Sequence, residues 1–105
     1  MFFKFFENQD EVDYLRNSTA EKIVADHHGM PNMVVGAVHD IMWTDESKAA
    51  QIIADGFRVM GVNCIALGVI NVLGEMAFRY SDNAKEAQTK FMSFVMNALA
   101  PVKNK

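Results

Sequence analysis

At 105 residues, with half of them apolar, 10% aromatic and 22% charged, the chain is one domain's worth of polypeptide with enough hydrophobic material for a packed core. That composition excludes intrinsic disorder and a multidomain arrangement over residues 1–105. The net charge is -3, and a single cysteine excludes an internal disulfide framework and a multi-thiolate zinc site, so packing must hold the fold, as suits a reducing, cytoplasmic setting.

The start, Met1-Phe2-Phe3-Lys4-Phe5-Phe6, runs into acidic residues with no small-residue cleavage site, so it does not read as a signal peptide. Phe2, Phe3, Phe5 and Phe6 are expected to pack on the core or on a second subunit. Val12, Leu15, Thr19, Ile23 and His27 recur at steps of three and four and predict one helix over 9–28, with Asp10 as a cap and Gly29 as its stop. Pro31 opens a second helix over 31–43, although the β-branched valines around Gly36 leave a strand open there.

Thr44, followed by Asp45 and Glu46, has the form of an N-cap with acids in the first turn. The helix it starts has a polar stripe at Lys48, Gln51, Asp55 and Arg58 opposite Ala49, Ile52, Ile53, Phe57 and Met60. From Val59 to Gly74 sixteen residues carry no charge, which predicts a central helix buried on nearly all sides. The run is too short for a membrane span and holds Asn63 and Asn71. A helix from 45 to 80 is unusually long, so a break is expected near Gly61 or Gly74. Ser81, Asp82 and Asn83 offer a loop and cap for a last helix over 83–99, with Ala84, Ala87, Phe91, Val95 and Ala98 inward and Pro101 as its stop. The fold class is therefore all-α: a compact bundle of four helices, or five if the third is broken, around a central, nearly all-apolar helix.

Chemistry is thinly represented. No phosphate-binding glycine loop, nucleophile elbow or Cys-x-x-Cys is present, so no catalytic residue is assigned and no cofactor is expected. His27, His28 and His39 are weak metal candidates, because adjacent residues on a helix point about 100° apart and their spacing builds no ligand set. Asn71, Glu75 and Arg79 lie along one helix edge and, with Asn63, form a candidate ligand-binding set, Glu75 and Arg79 being spaced for an ion pair. Gly61, Cys64 and Gly68 form a stripe of small residues where two helix backbones can approach, which makes them, with the phenylalanines, the candidate self-association surface.

Residues 21–40 resemble the helix-turn-helix of DNA-binding regulators, with Ala25 in the first helix, Gly29 in the turn, and Val35 and Val38 on the second helix. The resemblance implies a recognition helix from Pro31 to Asp40. That segment has no lysine or arginine and lies in an amino-terminal stretch, residues 1–46, with nine acids against three bases, so nucleic acid is a poor partner. Residues 76–105 carry five bases against two acids. The reading that results is a non-enzymatic helical interaction module, forming a homo-oligomer such as a dimer and binding a protein partner as an inhibitor, immunity protein or adaptor does; a DNA-binding regulator and a small-molecule or metal-binding protein are its alternatives. So much apolar material at 59–74 and at the amino terminus further implies that part of the core belongs to an interface.

Overall fold

The computed structural model describes residues 9–27, 30–79 and 84–103, so the phenylalanine-rich start, His28, the Gly29 stop and the 81–83 cap lie outside the described residues. Six helices follow in order: α1 (Gln9–Asn17), α2 (Ala20–Asp26), α3 (Pro31–Ile41), α4 (Glu46–Met60), α5 (Val62–Arg79) and α6 (Ala84–Lys103), with no strand among the described residues. The all-α class holds, while the helix count exceeds the four or five expected because two of the predicted helices are each broken once.

The first break falls at Thr19, whose extended backbone (φ -71°, ψ 155°) and side-chain oxygen, accepting from the Lys22 N–H at 3.1 Å, make it the N-cap of α2 rather than a position on a continuous stripe. Leu15 and Ile23 on either side of it still point into the core. The second break falls at Gly61, one of the two glycines expected to interrupt the long helix. Its φ of +88° with ψ 157° lies in a region open to glycine and hardly to anything else, and its N–H closes α4 on the Phe57 carbonyl at 3.0 Å.

Two termini shift from their expected places. Asp45, not Thr44, caps α4, its carboxylate accepting from the Lys48 N–H at 3.0 Å, while the Thr44 hydroxyl turns back to the Ile41 carbonyl. The last helix passes through Pro101 to Lys103, because a proline in the final turn deletes a single helical hydrogen bond.

The central helix is α3 rather than the uncharged run at 59–74. Every residue from Val34 to Ile41 is buried, with α5 and α4 packed most extensively on α3 and α1 crossing it. The core gathers Leu15, Ile23, Val34, Val38, Ile52, Ile53, Ile65, Val72 and Phe91 around it. Burying a large aliphatic or aromatic side chain contributes roughly 1.5–3 kcal/mol each, so this cluster supplies most of the drive to fold. Across the bundle α6 closes the core with Phe91 and Val95 and is tied to α5 by the Gln88 amide, which donates to the Leu73 carbonyl at 3.0 Å.

What seats α5 on α3 is Gly68. A Cβ at this position would stand 2.6 Å from the Pro31 carbonyl oxygen and 2.9 Å from a Val35 methyl, so the two helices touch through backbone. Three glycine-to-alanine substitutions should therefore diverge in chemical denaturation. Gly68→Ala is expected to cost about 1–3 kcal/mol by overpacking and Gly61→Ala about 1–3 kcal/mol by backbone strain. Gly74→Ala, which meets nothing within 4 Å, should instead stabilise the helix by up to about 1 kcal/mol.

Candidate interaction face

With Gly68 held on α3, the facing of the rest of α5 is decided. Ile65, Val69, Val72 and Met76 turn inward and are buried. At about 100° per residue the opposite side carries Asn63, Leu67, Ile70, Gly74 and Ala77, and all five are exposed. Leu67 is 55% and Ile70 64% exposed, the two most exposed large hydrophobic residues among those described. Ala66 and Asn71 flank them, and Val59 and Val62, each 39% exposed, extend the apolar surface past the helix start. No charge interrupts this face between Arg58 and Glu75. Single exposed hydrophobics are ordinary; a continuous uncharged helical face is the kind of surface that marks an interaction site.

The small-residue stripe does not act as a unit. Gly61 ends α4, Cys64 is an exposed free thiol, and Gly68 is covered by α3 of the same chain. The close backbone approach anticipated there does occur, but within one molecule. Nor does the polar set converge: Asn63 and Asn71 are exposed to solvent, Glu75 is half-buried, and the Arg79 side chain lies outside the described residues. The outer positions Leu67, Ile70, Gly74 and Ala77 were not separable in the sequence, because the inward set 65, 69, 72 and 76 is equally uncharged.

The histidines separate in the same way. His27 is half-buried at the end of α2, its Nδ1 2.9 Å from the Ile23 carbonyl. His39 and Asp40 are buried in α3, joined by an Nδ1···Oδ1 contact of 3.1 Å, with the imidazole edge-on to Trp43 and Phe91 at ring-centre distances of 5.9 and 5.6 Å. Lys90 covers the Trp43 ring at 5.1 Å. Among the described residues no group of three or more histidine, cysteine, aspartate or glutamate side chains is placed to hold a metal ion. The helix that would read DNA in a helix-turn-helix is α3, and its Val34–Ile41 stretch is buried. No helix among the described residues is long and apolar enough to cross a membrane.

Two other surfaces have structure. An open groove of about 830 Å³ runs between the α3–α4 turn and α6, with Met42 and Phe94 beside Glu46, Lys85, Lys90 and Asn97. Elsewhere the Tyr14 hydroxyl donates to Asp26, and Lys22 bridges the same carboxylate at 3.0 Å, joining α1 to α2. No known protein family, curated protein or solved structure matches the chain.

The Tyr14–Asp26 contact has a pH signature. The hydroxyl's hydrogen bond, then Lys22, lower the Asp26 pKa below its ordinary 3.8, while burial, then the bond to Asp26, raise the Tyr14 pKa above the ordinary 10.0. A lowered carboxylate pKa contributes stability that is present above pH 3.8 and lost as pH falls through the folded value. A raised phenol pKa contributes stability present below pH 10.0 and lost as pH rises through its folded value. Denaturation measured from about pH 2 to 12 should show both limbs, shallower at low pH in Asp26→Asn and at high pH in Tyr14→Phe. Equal slopes in wild type and variants would remove this linkage.

Proposed function

We propose that this chain is a non-enzymatic helical interaction module of a reducing, cytoplasmic compartment, which self-associates and acts by occupying the surface of a partner protein, as small inhibitors, immunity proteins and adaptors do. One observation carries the reading: a folded helix with a complete inward face presents a second, uncharged face to solvent, centred on Ile70. Interfaces of this kind draw their energy from a few large apolar side chains at the centre of the patch, the place that Leu67 and Ile70 occupy. The exposed Cys64 thiol fits a compartment that keeps thiols reduced.

Sedimentation equilibrium across a hundredfold range of protein concentration tests the self-association. Wild type is expected to depart from the 11.8 kDa monomer as concentration rises. Ile70→Glu, which places a charge at the centre of an exposed face without touching the core, should keep its melting temperature and remain monomeric throughout. A wild-type chain that stays monomeric at every concentration would overturn this part of the reading. Native mass spectrometry of protein drawn from cells then reads the partner as an added mass that Ile70→Glu loses.

A further inference from the structure

We infer that the outer face of α5 pairs antiparallel with the same face of a second copy of this chain, about a two-fold axis at the level of Val72. The inference rests on the interaction reading above and names the first partner of that face.

The spacing is one that a second helix can match. The exposed positions 63, 67, 70, 74 and 77 alternate steps of four and three, the seven-residue repeat with which two helices lie side by side at a shallow angle. Size identifies it as α5 itself. Leu67 and Ile70 stand out from the face, whereas Gly74 and Ala77 leave it low, and a Cβ at Gly74 would meet nothing within 4 Å. In an antiparallel pair centred on position 72, Ile70 of one copy stands over Gly74 of the other, and Leu67 over Ala77. Both pairings recur across the axis, as an isologous interface requires, so Leu67 and Ile70 each meet a small residue. A parallel pair would instead set Leu67 on Leu67 and Gly74 on Gly74, crowding one end and leaving a void at the other.

Charge is compatible with a self-contact. Placing a face on its own copy brings like charges together wherever it carries any, and from 59 to 74 it carries none. Extent sets the strength. An 18-residue helix is about 27 Å long, and a single helix stripe of that length buries less than the ~800 Å² per partner of a standard stable interface. The pair is therefore weak and concentration-dependent, with folded monomers in exchange.

Cysteine cross-linking reads the register directly. In a Cys64→Ser background, Ile70→Cys and Gly74→Cys are prepared separately and oxidised mildly, each alone and as an equimolar mixture, at the concentration where wild type associates. Antiparallel pairing places 70 of one copy opposite 74 of the other, whereas like positions are offset by about 6 Å along the axis besides the gap between helices. The mixture is expected to give at least tenfold more covalent dimer than either variant alone, with mass spectrometry placing the link between positions 70 and 74. Gly74→Leu, whose Cβ would meet nothing within 4 Å in its own chain, should keep its monomer stability and lose association at least tenfold, because it fills the space that Ile70 enters.

Two outcomes overturn the pairing and leave self-association standing. One is homodimer from each variant alone, with mass spectrometry of the mixture finding 70–70 and 74–74 links and no 70–74 link, the pattern of a parallel pair. The other is association without cross-links in any sample and unaffected by Gly74→Leu, which assigns it to another face. A wild type that never associates removes the pairing together with the self-association it rests on.

Discussion

The contact between Gly68 and the first residue of α3 is the constraint from which the rest of the molecule follows. Helices that pack through ordinary side chains keep their axes about 8–10 Å apart. Here a missing side chain lets the α5 backbone rest on the Pro31 carbonyl and a Val35 methyl. A helix pinned so closely cannot rotate about its axis without driving a Cβ into backbone, so one contact decides the facing of all eighteen residues of α5. Ile65, Val69, Val72 and Met76 complete the core because Gly68 is where it is. Leu67 and Ile70 are in solvent for the same reason.

The second consequence falls on α3. Covered by α5, α4 and α1, it has no solvent side along Val34–Ile41, yet the sequence places His39 and Asp40 there. Buried polar groups cost free energy unless they are paired, and these two neighbours pair with one another. The imidazole Nε2 has no hydrogen-bond partner among the described residues, and the ring is met edge-on by Trp43 and Phe91. Such a pair adds little net stability over an apolar pair of the same shape. Contacts of α3 thus reach both sides of the bundle: Pro31 and Val35 meet Gly68 of α5, and the His39 ring meets Trp43 of the α3–α4 turn and Phe91 of α6.

Helix content was legible because it rests on local chemistry. Pro31 opens α3, Gly61 ends α4, the Lys48–Arg58 stripe faces out, and Phe91 and Val95 face in, each where the spacing of apolar and polar residues places it. The break at Thr19 was also written locally, in the run Asn17-Ser18-Thr19 of cap-forming side chains, but Thr19 also fell on an apolar period that masked it. The identity of the central helix was not legible. Absence of charge marks both Pro31–Val38 and Val59–Gly74 as candidates for burial, and only a long-range contact, Gly68 on Pro31, tells which of them is wrapped and which does the wrapping. The interaction face was hidden for the same reason. Positions 65, 69, 72 and 76 and positions 63, 67, 70, 74 and 77 are two stripes of one helix, both uncharged, and the sequence has no local feature that assigns one to the core.

Size settles how the outer stripe is to be understood. A folded monomer of 11.8 kDa is expected to expose about 5,900 Å² and to have a radius of gyration of about 12.9 Å; this chain exposes 6193 Å² with a radius of 12.6 Å. Both values are those of a compact chain of this length. An obligate dimer, by contrast, resembles a domain core cut in half, with a large apolar surface that cannot stand in water alone. The excess apolar material at 59–74 instead divides between the two sides of α5, with Ile65, Val69 and Val72 in the core and a narrower stripe in solvent. Under the proposed self-association, that division would make the pairing a meeting of folded chains, in which affinity depends on how well a few side chains on α5 match their counterparts.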